Sequence, residues 1–310
     1  MQHLLTVFTP TYNRRDLLKR VYESLKAQTS KDFVWLVCDD GSDDGTSELI
    51  EGFISEGILD IRYEYFNNGG KMRAHNKGVM LCDTELFVCL DSDDYLVKDA
   101  VKRITDCYEG LDEKDPLSEK QICGIVAHKG ESEDKVLYGQ EFPDVLYSTL
   151  YGLYLKGFKG ETTLVYKTEV LRQFPFPETE GEKYVPEDYI YDKIDGEYVL
   201  KVLPEIITVC EIVSSGYTDS LKRLKRDNPE AWYLYYRQRT EITPHGILKF
   251  KYSGYYVIYA LRTSHKLIPK DSGSDYRKDP KTVRSENKIG AFTVLSGLLS
   301  ALLIIILRKQ

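Results

Sequence analysis

Three carboxylates, Asp91, Asp93 and Asp94, follow directly on the apolar run Leu86-Phe87-Val88-Cys89-Leu90. Like charges crowded at the end of a buried segment repel, and their burial is costly unless a cation sits among them. Hard oxygen ligands in this position suit Mg²⁺ or Mn²⁺, ions that commonly share one or two carboxylates with substrate phosphates. Helix capping accounts for one acid, Asp93 or Asp94, ahead of a helix beginning at Val97, but not for three. A second acid cluster, Asp39-Asp40-Gly41-Ser42-Asp43-Asp44-Gly45, ends the run from Phe33 to Cys38. The spacing of Asp40, Ser42, Asp44, Gly45 and Glu51 approaches a calcium-binding EF-hand loop. Such a loop follows a helix, whereas Phe33 to Val37 has strand character, and Ser47 stands at the loop's apolar position, so the match is read as accidental. A third acidic pair, Glu187-Asp188, precedes Tyr189-Ile190-Tyr191. It suits either a general base or the acid-rich start of a helix.

The elements that must position these acids alternate in period. Strands are predicted over His3 to Phe8, Phe33 to Cys38, Ile61 to Phe66, Leu86 to Leu90 and Gln121 to His128. Helices are predicted over Arg14 to Gln28, Thr46 to Ser55, Arg73 to Leu81 and Val97 to Tyr108. Alternation of this kind predicts a mainly parallel, Rossmann-like α/β sheet covered by helices, with ligands at the carboxyl ends of its strands. The first, second and fourth strands end in Thr9-Pro10-Thr11-Tyr12-Asn13-Arg14, in the cluster opening at Asp39, and in Asp91-Ser92-Asp93-Asp94, which locates a site. From about Leu150 the pattern is punctuated by Gly and Pro, and past Ser220 it becomes helical, Tyr-rich and basic. A catalytic domain over 1–220 and a helical region over 221–310 follow, with a polar linker over 268–288.

These segments together resemble family-2 glycosyltransferases of the GT-A fold, over roughly residues 1–215. The stretch Asn67-Asn68-Gly69-Gly70-Lys71-Met72-Arg73-Ala74-His75-Asn76-Lys77-Gly78 takes part, as does Pro186-Glu187-Asp188 about a hundred residues beyond Asp91. The resemblance implies an inverting, metal-assisted glycosyltransferase that uses a nucleotide-sugar donor, UDP-linked for preference. It implies that Pro10, Thr11, Tyr12 and Asn13 line the nucleobase pocket with Tyr12 on the uracil ring, that Asp40 accepts from the base N3–H, and that Asp39 supports its loop. Asp91, with Ser92 beside it, would face the ribose or the metal, and Asp93 would ligate Mn²⁺ or Mg²⁺ at the diphosphate. Asp188 would be the base, with Glu187 as its rival. The family often has an arginine where this chain has His75, so Lys71, Arg73 or His75 would supply positive charge near the phosphates, with Asn76 supporting the loop. A non-catalytic nucleotide- or partner-binding protein on the same fold is the alternative.

Bulk properties bound the rest. A net charge of −7 and a pI near 5.4 exclude a typical nucleic-acid binder. Six cysteines are scattered without a CxxC pair, which predicts reduced thiols in a reducing compartment, and the N-terminus lacks a signal-like apolar core. Ile289 to Leu307 carries no charge and is flanked by Arg284, Lys288, Arg308 and Lys309. It is expected to contact a membrane, either spanning it or lying in its interface, with Thr293, Ser296 and Ser300 weakening the spanning signal. The expected location is the cytoplasmic side of a bacterial plasma membrane. No motif of processive polysaccharide synthases is present, which favours addition of one sugar to a lipid-linked or cell-surface glycan acceptor.

Overall fold

A computed structural model describes residues 3–210, 221–244, 246–265 and 291–307; the linker predicted over 268–288 lies outside the described residues. In chain order the elements are β1 (Leu5–Thr11), α1 (Arg15–Lys26), β2 (Phe33–Asp39), α2 (Thr46–Glu56), β3 (Ile61–Tyr65), α3 (Lys71–Leu81), β4 (Leu86–Cys89), β5 (Asp94–Leu96) and α4 (Ala100–Glu109). There follow β6 (Gln121–Ser132), β7 (Lys135–Val136), β8 (Tyr147–Ser148), α5 (Leu150–Leu155), β9 (Thr162–Lys167), α6 (Thr168–Leu171), α7 (Asp188–Glu197) and β10 (Tyr198–Cys210). The last four helices are α8 (Leu221–Asp227), α9 (Pro229–Ile242), α10 (Ile247–Arg262) and α11 (Ala291–Leu307).

These elements divide into two compact units, one of residues 3–176 and 190–210, the other of 177–189 with the described residues from 221 onward. The first unit holds one sheet of order β3-β2-β1-β4-β9-β6-β10-β5, with β7 beside β6 and β8 beside β10. The pairs β1–β2, β2–β3, β1–β4 and β6–β10 are parallel, whereas β9 runs antiparallel to both β4 and β6, and β5 antiparallel to β10. The sheet is therefore mixed rather than mainly parallel. β1 and β2 are buried along their whole length, which is why β2 reads as a continuous apolar run from Phe33 to Cys38. α1 lays Leu18, Val21, Tyr22 and Leu25 on this sheet. There the Tyr22 ring stacks on Phe53 at 3.8 Å between centroids and lies 6.2 Å from Trp35.

Two expectations change here. Asp94 opens β5, and α4 begins only at Ala100, after Asp99, so neither Asp93 nor Asp94 caps that helix. β10 was hidden by Pro204 and by register shifts on either side of it, because a proline and bulges break the alternation that marks a strand.

In the second unit, α9 and α10 bury Trp232, Tyr233, Tyr236, Tyr256 and Tyr259 together. α11 packs on α10 through small residues: a Cβ at Gly254 would lie 2.4 Å from Ser300 Oγ, and one at Gly297 would lie 2.8 Å from the Ser253 carbonyl. No helix among the described residues is long and apolar enough to cross a membrane.

Candidate active site

The carboxyl ends of β1, β2 and β4 carry three loops knitted to one another by side chains. Asn13 sits at φ +52°. Its amide N–H donates to Ser42 Oγ at 2.8 Å, and its Oδ1 accepts from the Asp43 amide at 2.9 Å. Asp39 is fully buried, with Oδ1 taking the Ser42 amide at 2.7 Å and Oδ2 the Tyr63 hydroxyl at 2.8 Å. Asp40 accepts from the amides of Gly69 and Gly70, each at 2.7 Å, at the start of α3. Gly70 is the N-cap of α3, so its amide is an unsatisfied donor of that helix end, where a carboxylate is favoured by the local dipole. Gly41 makes this possible: it sits at φ +91°, and a Cβ would stand 3.0 Å from the Asn68 nitrogen. Pro10 and Thr11 lie buried at the end of β1, with Thr11 opposite Asp39 in register. The Thr11 hydroxyl is buried without a hydrogen-bond partner, and the neighbouring Tyr12 ring is half exposed.

The acids after β4 find their counter-ions within the chain. Lys71 Nζ lies 2.7 Å from Asp91 Oδ1, Arg14 Nη1 2.8 Å from Asp93 Oδ2, and Lys129 Nζ 2.9 Å from Asp94 Oδ2. Arg14 also reaches the hydroxyl of buried Ser92 at 3.3 Å, and Arg20 donates to the Asp93 carbonyl. Burial by itself would raise the Asp91 carboxyl, but Lys71, Lys129 and Arg14 outweigh it and hold the pKa at about 2. Burial does raise the Asp94 carboxyl, against the pull of Lys129. Lys129 stays firmly protonated because Asp94 and Asp91 overcome its own desolvation.

Two residues of the α3 stretch stand apart from this cluster. His75 is buried edge-on against Phe8, Phe87 and Phe176, with centroids 5.8, 5.4 and 5.1 Å away. Burial pushes its pKa down to about 3, so it carries no charge at neutral pH and supplies none to a phosphate. Asn76 holds the backbone of Phe176 from both sides, donating to its carbonyl and accepting from its amide, each at 2.9 Å. In that stretch Lys71 pairs with the acid cluster, through Asp91. Arg14 stands in the first-strand motif, where nothing in the sequence marks it as the partner of Asp93. Lys129 carried no signal, since a lysine at the end of a strand looks like any solvated charge.

In the second unit, Asp188 opens α7, and its Oδ2 accepts from Arg239 Nη2 of α9 at 2.9 Å. Glu187 precedes it, partly buried. The loop from Asp40 follows a strand, β2, and its first acid is held by the Gly69 and Gly70 amides, so it is no EF-hand.

The residues that would hold a divalent ion are Asp91 and Asp93. Among the described residues no group of three or more His, Cys, Asp or Glu forms a ready-made metal cage. Two carboxylates at the mouth of a strand still fit an ion that completes its shell with phosphate oxygens and water, as Mg²⁺ usually does.

Residues 6–114 match the model of glycosyl transferase family 2. The putative teichuronic acid biosynthesis glycosyltransferase TuaG of Bacillus subtilis is 28% identical over 154 residues, which is 48% of this chain and 59% of that protein. The GalNAc(5)-diNAcBac-PP-undecaprenol beta-1,3-glucosyltransferase of Campylobacter jejuni is 28% identical over 187 residues, 56% of this chain and 55% of that protein. The match thus spans less than two thirds of either relative's length. Among solved structures, S. aureus TarS 1–349 in complex with UDP-GlcNAc superposes with a TM-score of 0.57 at 19% identity, covering 83% of this chain and 72% of that one. The mannosyltransferase PcManGT from Pyrobaculum calidifontis, in complex with GDP-Man and Mn²⁺, gives a TM-score of 0.57 at 16% identity, covering 98% and 86%. At these identities the likeness is one of fold, which is GT-A. The family match covers residues 6–114, the segment that carries β1 to α4 and the acids after β4.

Proposed function

We propose that this glycosyltransferase moves a sugar from a UDP-sugar donor to a lipid-linked or cell-surface glycan acceptor, with inversion. One observation carries the donor half of this reading. Three carboxylates and three cations, Asp91 with Lys71, Asp93 with Arg14 and Asp94 with Lys129, interleave at the carboxyl ends of the strands. A diphosphate presents the same charge as a pair of carboxylates, so Lys71 and Arg14 can turn to it while Asp91 and Asp93 take up Mn²⁺ or Mg²⁺. When bound, such an ion offsets the charge that gathers on the leaving diphosphate. The buried Thr11 hydroxyl and the exposed Tyr12 ring beside it offer a hydrogen bond and a stacking face to the base. Asp40 can still accept from the base N3–H, since a carboxylate has about four lone-pair sites and the amides of Gly69 and Gly70 and Asn68 Nδ2, the last at 3.1 Å, take three of them.

Asp188 is assigned as the base. The acceptor hydroxyl gives its proton to the Asp188 carboxylate, its oxygen bonds to the anomeric carbon, and the bond from that carbon to the diphosphate breaks to release UDP. The relative that acts on an undecaprenol-linked substrate supports a lipid-linked acceptor. So does α11, whose Leu295, Leu298, Leu299, Leu302 and Leu303 are exposed. Attachment to the cytoplasmic face of a membrane would bring enzyme and acceptor together. Calorimetric titration with UDP, with and without Mn²⁺, tests the donor site in the wild type and in Asp93→Ala. Metal-dependent binding that the variant lacks is expected. If the wild type binds no UDP in either condition, the donor assignment is wrong.

A further inference from the structure

The carboxylate assigned as the base is held by groups that no sequence motif pointed to. Arg239 is 4% exposed at its side chain, while the Asp188 carboxylate that it meets is 43% exposed. A guanidinium taken this far from water is costly, and loss of its partner would leave a buried charge uncompensated. Arg239 also lies over the Tyr235 ring, 5.4 Å from its centroid. Tyr235, one helical turn earlier on α9, hydrogen-bonds the same Asp188 carboxylate. A second tie fixes the register of the two segments: Gln238 Nε2 donates to the Tyr189 carbonyl at 2.9 Å. One edge of the Asp188 carboxylate is thereby bound to α9, and the side chain is more than half covered while part of it still reaches solvent.

We propose that Arg239 and Tyr235 are positioning residues for Asp188, which orient its carboxylate and keep it ionised so that it can take the acceptor's proton. The proposal rests on the assignment of Asp188 as the base. Without these partners the acid would be poorly suited to the task. Desolvation raises its pKa and the neighbouring Glu187 raises it further, while Arg239 and Tyr235 act in the opposite direction. A base must be ionised at working pH yet keep enough proton affinity to accept. Burial supplies the affinity and the Arg–Tyr pair supplies the ionisation. Arginine suits this task because its planar guanidinium stays charged and fixes the direction of the bond it donates.

The test is the pH profile of UDP release from a panel of UDP-sugars, including UDP-GlcNAc, with water as acceptor. Wild type, Asp188→Asn, Arg239→Gln, Arg239→Lys and Tyr235→Phe are compared, with UDP affinity measured alongside by calorimetry. Arg239→Gln is expected to move the acidic limb up by about one pH unit, equivalent to about tenfold in protonation equilibrium. UDP affinity should stay unchanged, and Arg239→Lys should restore part of the profile. Tyr235→Phe, which removes one hydroxyl and leaves no large cavity, should give a smaller shift in the same direction and decides the matter if Arg239→Gln does not fold. Should Asp188→Asn abolish turnover while the Arg239 and Tyr235 variants leave the profile in place, the positioning role is overturned and the base survives. Retained turnover in Asp188→Asn, or no UDP release by the wild type from any sugar, would remove the assignment on which the proposal rests.

Discussion

At the scale of single residues, the same motif holds side chains with unlike duties. His75 and Lys71 lie four positions apart on α3, yet one is in an aromatic nest and the other pairs with Asp91. A histidine in a basic stretch beside glycines looks like a phosphate ligand, and only packing shows otherwise. Its burial has a measurable consequence. The folded pKa of about 3 lies below the ordinary value of 6.5. The unfolded chain therefore takes up a proton that the folded chain refuses, and stability is lost as pH falls below about 6.5. Between pH 7 and 5 the His75 contribution should fall by about 2 kcal/mol, which His75→Leu should not show. Urea titrations of both proteins at the two pH values check this, and equal slopes with pH would refute it. The acids after β4 were legible as a charge problem demanding cations. Which cations answer it was not, because Arg14, Lys71 and Lys129 come from three separate elements.

At the scale of elements, the strands and helices up to β4 were legible because the strands are rich in β-branched and aromatic residues, β2 and β4 as near-continuous apolar runs, and alternate with helical periodicity. β5, β9 and β10 were not, since they are short, bulged or set among glycines and prolines, and antiparallel pairing leaves no crossover helix as a clue. Loop residues were legible as polar clusters at strand ends, but Asp39 and Asp40 turn out to fasten the loops themselves. Gly78 shows how tightly the elements are set. A Cβ there would stand 2.4 and 2.6 Å from two ring carbons of buried Phe8, so α3 can lie on β1 only without a side chain at this point. In a free helix alanine is better than glycine by about 1 kcal/mol. Here overpacking should prevail, and Gly78→Ala is expected to destabilise by about 1–3 kcal/mol. Because α3 carries Lys71, UDP should also bind more weakly. A variant as stable as the wild type in urea would show that α3 shifts at no cost.

At the scale of the whole molecule, charge and apolar surface are unevenly distributed. Residues 221–265 hold nine Lys and Arg against three Asp and Glu, a net of +6, so the remainder of the chain carries −13 of the total of −7. The basic segment belongs to the same unit as α11, which buries Val294, Gly297, Ser300 and Ala301 and exposes the leucines at 295, 298, 299, 302 and 303. Composition marked this C-terminal stretch as apolar. It could not say that one face would be used up on α10 by glycine and serine, leaving the bulky face outward. An apolar helix face beside basic residues fits the interface of a membrane containing anionic lipid, where leucines insert and Lys and Arg meet headgroups. Full insertion of one leucine side chain is worth about 1.5–3 kcal/mol relative to leaving it in water. The full chain is therefore expected to sediment with vesicles containing anionic phospholipid, and less well with neutral vesicles or at high salt. Leu299→Ser combined with Leu302→Ser and Leu303→Ser should abolish sedimentation while UDP affinity, set in the other unit, is unchanged. Vesicle binding that survives the triple substitution would mean that α11 is not the attachment surface.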